Sequence, residues 1–232
     1  GRERCRRWDA RSIDLDVVLH GELVGGGTGL IVPHPRYTAR RFVLEPACDV
    51  AAHYRDPRFG WTLKRLASHL NQGTPSLSLV GGSETTRIEI CRRLREEHGV
   101  QTFYDAPIPE PMTVLGHAPV LDSAESAHDQ ASIHLTKLEE QCDERWISAF
   151  IPPLPSLDSG ETGAKHLPRL IARIQSTTAA TRWPAPHQMW PAGWRWPEYR
   201  LEIDDLDWAI SELVSALDSM RCPVRPITED GN

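Results

Sequence analysis

The pattern of apolar and polar positions is most regular in the middle of the chain. Residues 76–80 form a short apolar run, and residues 81–85 read as a glycine-containing turn. Residues 86–98 have the amphipathic period of a helix, which Gly99 ends. Residues 100–104 form a second strand-like run directly afterwards. This order of strand, turn, helix and strand predicts a βαβ unit.

The downstream part of the chain continues this alternation of strands and helices. Its pattern predicts, in order, a helix at 131–146, a strand at 147–151, a helix at 165–177, a strand at 199–203 and a helix at 206–220. We therefore expect an α/β fold. The order of elements resembles that of nucleoside and nucleotide kinase domains, including P-loop kinases.

A change of pattern predicts a boundary between two domains. Residues 60–70 have apolar positions at helical spacing, and residues 71–75 bring Gly and Pro together as a stop signal. We expect a first domain at 1–73, a second at 74–226 and a polar tail at 227–232.

Apolar and acidic residues alternate just before the first glycines of the chain. In a strand, Leu15 and Val17 would face the core, and Asp14 and Asp16 would share the opposite face, about 7 Å apart. Two carboxylates at this spacing suit a pair of hard divalent cations. The same pattern is also typical of an edge strand with a solvated face. The spacing alone leaves both interpretations open.

Neighbouring residues favour the metal interpretation. Residues 7–18 read RWDARSIDLDVV, residues 32–37 read VPHPRY, and residues 40–47 read RRFVLEPA. In order, spacing and residue type these segments resemble the signature of the 6-hydroxymethyl-7,8-dihydropterin pyrophosphokinase family of folate biosynthesis. The main departure is Asp9-Ala10, where the family usually has Gly-Pro. The resemblance implies a ferredoxin-like α+β domain, of which this chain would hold the C-terminal half.

The resemblance implies a two-metal transfer of pyrophosphate from ATP. Asp14 and Asp16 would hold two Mg²⁺ ions that bridge the ATP phosphates, and Arg11 would reach the substrate or the transferred group. The 6-hydroxymethyl oxygen of the dihydropterin would attack the β-phosphorus of ATP and release AMP. Such a transfer depends mainly on positioning and charge neutralisation.

The same resemblance implies residues that bind the two substrates. His34 and Arg40 match positions that contact the ATP phosphates, and Phe42 matches the aromatic residue that stacks on the pterin. Trp8 would lie on the mobile loop that closes over the site. Two basic residues of that loop are candidates for phosphate contact or for a solvated turn: Arg2 and Arg7.

The turn at 81–85 raises the separate question of a phosphate loop in the second domain. Glycines before a helix can expose backbone N–H groups to an anion. The turn lacks the lysine of a phosphate-loop motif, and Arg87 belongs to the predicted helix instead. We therefore expect a degenerate kinase-like domain that does not bind a triphosphate at this turn.

Composition limits the remaining functions. The formal net charge is −6, which argues against general binding of nucleic acid. The five cysteines are scattered without a C-x-x-C pair and predict reduced thiols in a cytoplasmic protein. No apolar run approaches the roughly 18 residues of a membrane span, so we expect no membrane association.

The resemblance extends only over about residues 1–71, and it implies that the sequence begins in the middle of the family's domain. We therefore expect a fragment that has little activity alone. Two other functions remain open: a module that binds a nucleotide or a pterin without converting it, and a scaffold for association with other enzymes of folate biosynthesis.

Overall fold

The computed structural model describes residues 15–27, 30–103, 144–152, 154–155, 167–175 and 196–224. The strands in these ranges are β1 (Gly25–Gly27), β2 (Leu30–Val32), β3 (Ser76–Val80), β4 (Gln101–Phe103), β5 (Trp146–Ser148), β6 (Leu170–Gln175) and β7 (Glu198–Glu202). The helices are α1 (Arg41–Ala51), α2 (Leu63–Asn71), α3 (Glu84–His98) and α4 (Leu206–Ser219), with a 3-10 turn at Tyr37–Ala39 before α1.

A five-stranded sheet forms the centre of the fold. Its order is β4-β5-β3-β6-β7, and every neighbouring pair is parallel. The α/β prediction is therefore confirmed. β1 and β2 form a separate antiparallel hairpin. The chain leaves β3 towards one side of the sheet and later crosses to β6 on the other side. In open α/β sheets, the carboxyl ends of strands at such a reversal form a crevice.

Capping residues explain where the helices begin and end. Thr62, Ser83 and Asp205 each accept a hydrogen bond from a backbone N–H in the first turn of α2, α3 and α4, respectively. α3 ends at Gly99, whose φ of 62° lies in the left-handed region. These helices and strands β3, β4 and β7 confirm the predicted elements, with shifts of at most three residues at their ends.

The predicted helix at 165–177 is wrong for the described residues. Residues 170–175 form strand β6, which pairs with β3 on one side and with β7 on the other. Leu170, Ile171 and Ile174 are buried and have a spacing that suits a helix as well as a strand covered on both faces. Pairing with two neighbouring strands decides between them.

Two further predictions of secondary structure need correction. Residues 15–20 belong to no strand, and Leu15 and Val17 are 84% and 40% exposed rather than in the core. No described strand pairs with this segment, so alternation alone does not bury its apolar side chains. Trp146 begins β5 instead of ending a helix, and the rest of that predicted helix, up to residue 143, lies outside the described residues.

The segment before α1 packs directly on the edge of the parallel sheet. The Thr38 hydroxyl donates a hydrogen bond of 2.7 Å to the Glu198 carbonyl. The Arg200 backbone N–H donates to the Pro35 carbonyl over 3.1 Å. One hydrophobic cluster contains Leu44 of α1 together with Leu213 of α4. The division into two domains at residue 73 stays a prediction, and the two parts share a core.

Candidate functional site

Three of the predicted site residues lie together beside the β1–β2 hairpin. Oδ2 of Asp16 is 3.6 Å from Nε2 of His34 and 3.8 Å from Nη1 of Arg40. The Asp16 side chain is 55% exposed, whereas those of His34 and Arg40 are 17% and 28% exposed. A solvent-accessible carboxylate therefore faces two nitrogen donors, an arrangement that offers both an oxygen ligand and anion-binding groups.

Backbone contacts fix the ring of His34. The backbone N–H of His34 donates to the Val18 carbonyl over 2.9 Å. The ring Nδ1 accepts from the backbone N–H of Arg36 over 3.2 Å. Burial lowers the pKa of His34, and the positive charge of Arg40 adds to this, while Asp16 acts in the opposite direction. The neutral ring therefore carries its proton on Nε2, the nitrogen that faces Asp16.

Arg40 is positioned by the turn that precedes α1. Its backbone N–H donates to the Tyr37 carbonyl over 3.0 Å and closes the 3-10 turn. The peptide bond between Val32 and Pro33, just before His34, is cis. His34 and Arg40 lie at the two ends of one short segment, which hydrogen bonds of Pro35 and Thr38 hold at the sheet edge.

A buried network of charged residues lies behind this segment. The Tyr37 hydroxyl donates to Asp56 Oδ2 over 2.7 Å, and Nε of Arg58 donates to Oδ1 of the same carboxylate over 2.9 Å. Nη2 of Arg173 donates to Oε1 of Glu198 over 2.7 Å. Burial raises the pKa of Glu198, and Arg173 opposes this. The sequence analysis did not predict this network. The only indication of it in the sequence is the acidic and the basic residue on either side of Pro57.

Phe42 lines a groove of its own beside helix α1. It is 48% exposed and lines an open groove of about 410 Å³ between α1 and the end of α4. The groove is completed by Ser211, Val214, Ser215, Asp218, Ser219 and Cys222. Asp16, His34 and Arg40 do not line it.

The other predicted site residues lie outside the described residues: Arg2, Arg7, Trp8, Arg11 and Asp14. Within the described ranges, no group of three or more His, Cys, Asp or Glu side chains could hold a metal ion. Asp16 is thus the one predicted metal ligand among the described residues, and its oxygens suit a hard cation.

Arg87 donates hydrogen bonds to the backbone of the glycine turn after β3. Its Nη1 donates to the carbonyls of Gly81 and Gly82 over 3.0 and 3.2 Å, and its Nε donates to the Ala149 carbonyl over 2.9 Å. The guanidinium that would be available for a phosphate is therefore engaged with backbone carbonyls. The absence of triphosphate binding at this turn stays a prediction.

In the part of the chain that the structure covers, every helix is too short or too polar to cross a membrane.

Comparison with known proteins gives a family match at the start of the chain. Residues 1–52 match the model of 7,8-dihydro-6-hydroxymethylpterin-pyrophosphokinase (HPPK). Asp16, His34 and Arg40 all fall within this stretch. The match supports the HPPK-like region that the motifs predict.

Individual relatives extend this similarity. The 2-amino-4-hydroxy-6-hydroxymethyldihydropteridine pyrophosphokinase of Synechocystis sp. is 32% identical over 93 residues, which are 38% of this chain and 48% of that protein. The enzyme of the same name from Pseudomonas aeruginosa is 46% identical over 57 residues, 25% of this chain and 35% of that protein. The bifunctional protein FolKE of Lactococcus lactis is 25% identical over 95 residues, 41% of this chain and 27% of that protein. The chain thus spans about half of the first relative and less of the others.

Proposed function

We propose that the intact protein transfers a pyrophosphoryl group from ATP to 6-hydroxymethyl-7,8-dihydropterin. The observation that carries this proposal is the cluster of Asp16, His34 and Arg40 within the stretch that resembles HPPK. An exposed carboxylate beside a guanidinium and an imidazole N–H is what a magnesium–phosphate complex needs.

The reaction is a displacement at the β-phosphorus of ATP. The hydroxymethyl oxygen of the pterin forms a bond to this phosphorus, and the bond from the phosphorus to the oxygen bridging the α- and β-phosphates breaks. AMP leaves with that oxygen, and the hydroxyl proton passes to solvent. The Arg40 guanidinium and the Nε2–H of His34 hold phosphate oxygens in place and balance their charge.

Asp16 and Asp14 are the proposed ligands of two Mg²⁺ ions. Asp16 fits this role because its oxygens are accessible and its two neighbours are nitrogen donors that suit phosphate rather than metal. Bound Mg²⁺ would neutralise charge on the phosphate oxygens. Arg11 and the basic residues Arg2 and Arg7 are proposed as further contacts to phosphate, with Trp8 and Phe42 contacting the pterin.

The proposal is tested by measuring AMP release from ATP and the dihydropterin with the intact protein. Asp16→Ala should lower turnover on the order of 100-fold or more, because an interaction with developing charge is lost. Asp49→Ala is the matched control, since Asp49 is an exposed aspartate of α1. Arg40→Ala should also lower turnover, and Arg95→Ala, at an exposed position of α3, should not. Equal turnover of all four variants would contradict the proposal.

A further inference from the structure

The last helix of the chain holds an arginine of the segment that carries His34. The guanidinium carbon of Arg36 lies 4.7 Å from the ring centre of Trp208, a cation–π distance. Nε of Arg36 lies 3.3 Å from Oε1 of Glu212. Trp208 and Glu212 are four residues apart on α4 and therefore share one helix face. Trp208 contacts the flat face of the Arg36 guanidinium, and Glu212 contacts its Nε edge.

Glu212 is itself fixed by the sheet. The hydroxyl of Tyr199, on edge strand β7, donates a short hydrogen bond to Oε1 of Glu212. The contact between Glu212 and Arg36 is an ion pair rather than a hydrogen bond, because Nε of Arg36 has no acceptor in hydrogen-bonding geometry among the described residues. Helix α4 and strand β7 thus determine where the guanidinium lies.

The two Nη groups of this guanidinium remain available for a ligand. Among the described residues, none accepts a hydrogen bond from the two Nη groups of Arg36, although the side chain is only 21% exposed. A guanidinium that is stacked on one face and paired at Nε presents its two Nη groups as a fork. Such a fork matches two oxygens of a phosphate.

Arg36 also belongs to the same site as His34 and Arg40. Its backbone N–H donates to Nδ1 of His34 over 3.2 Å. Burial and Glu212 raise the pKa of Tyr199, whereas the positive charges of Arg36 and Arg40 both lower it. Arg36, His34 and Arg40 thus belong to one short segment, which packs on edge strand β7 through Pro35 and Thr38.

We propose that Arg36 binds a phosphate group of the nucleotide and that Trp208 and Glu212 are positioning residues that hold its guanidinium for this purpose. The inference rests on the proposed function and deepens it. It gives a role in that site to helix α4, which lies outside the residues that match the family model. The substrate class is a nucleoside triphosphate bound through its phosphates.

The test is a calorimetric titration of the intact protein with α,β-methylene-ATP, a non-transferable analogue, and Mg²⁺. Arg36→Ala should weaken binding about tenfold or more, because a charge-assisted pair of hydrogen bonds is lost. Trp208→Leu should weaken binding about threefold to tenfold through the lost cation–π contact, and Trp208→Phe should retain most of the affinity. Glu212→Gln should also weaken binding. Glu84→Gln, at an exposed position of α3, is the matched control.

The double variant separates positioning from general damage. If Trp208 acts through Arg36, then Trp208→Leu should have no further effect on binding in the Arg36→Ala background. An additional loss of the same size would overturn the positioning role. The result for Arg36→Ala alone decides the binding role, because this partly exposed residue can be replaced without opening the core.

The outcomes also distinguish this inference from the proposed function. Unchanged affinity in Arg36→Ala, with weakened binding in Arg40→Ala, would refute the role of Arg36 and leave the proposed function standing. A protein that binds no analogue at all would refute both. Loss of affinity in Arg36→Ala and Trp208→Leu but not in Glu84→Gln is the result that the inference predicts.

Discussion

His69 of helix α2 makes the stability of the fold sensitive to mild acid. Its side chain is 1% exposed, and its ring packs edge-on against Trp61 and Trp196, with ring centres 5.1 and 5.2 Å away. Nε2 lies 3.0 Å from the Arg169 carbonyl, which can only accept, so the neutral ring carries its proton there. Burial lowers the pKa of His69 to about 3, and the positive charge of Arg169 adds to this.

The sign of the effect follows from the two protonation equilibria. In the unfolded chain the His69 pKa returns to about 6.5, so between pH 6.5 and pH 3 the unfolded state binds more protons than the folded state. The contribution of His69 is therefore fully present above pH 6.5 and is lost as the pH falls through this window. At pH 5 the loss relative to pH 7 is about 2 kcal/mol in the free energy of unfolding.

Urea unfolding at pH 7 and pH 5 measures this loss. His69→Gln removes the titrating group and keeps an N–H donor for the Arg169 carbonyl, so the variant should lose about 2 kcal/mol less than the wild type on acidification. His53→Gln is the matched control, because His53 is exposed and should leave the pH dependence unchanged. If His69→Gln showed the same pH dependence as the wild type, the reasoning would be refuted.

Two further predictions concern the glycine turn and the groove beside α1. Gly81 has a φ of +79°, and an added Cβ would lie 2.9 Å from the Ile174 carbonyl oxygen, so Gly81→Ala should lower the free energy of unfolding by about 2 kcal/mol; Gly25→Ala, with open space around it, should not. Phe42→Ala should weaken binding of the dihydropterin, measured by titration of the intact protein, with little effect on unfolding; Tyr54→Ala, at a similarly exposed aromatic residue, should leave it unchanged.

Local signals in the sequence predict the best-defined elements. Ser83 caps the start of α3 and Gly99 ends the helix, so the sequence predicts both ends to within a few residues. The same is true of α4, which begins directly after Asp205. These features depend only on neighbours along the chain, and sequence patterns report such neighbours well.

Pairing across the sheet could not be predicted in the same way. The apolar residues of β6 suit a helix or a central strand, and only β3 and β7 on either side select the strand. At Leu15 the alternating pattern predicts a buried strand residue, but no described strand covers it and its side chain is exposed.

For the site, the resemblance pointed to Asp16, His34 and Arg40, and the structure brings these residues together. The contacts of Arg36 with Trp208 and Glu212 join distant parts of the chain, so no local pattern could indicate them.

The most direct test of the proposed function is a product analysis of the intact protein and its Asp16→Asn variant with ATP, Mg²⁺ and 6-hydroxymethyl-7,8-dihydropterin. We expect the wild type to form AMP and the pyrophosphorylated pterin in equal amounts, and the variant to form both on the order of 100-fold more slowly. Release of ADP and phosphate instead, or equal rates of AMP formation in both proteins, would contradict the proposed transfer and the role of Asp16.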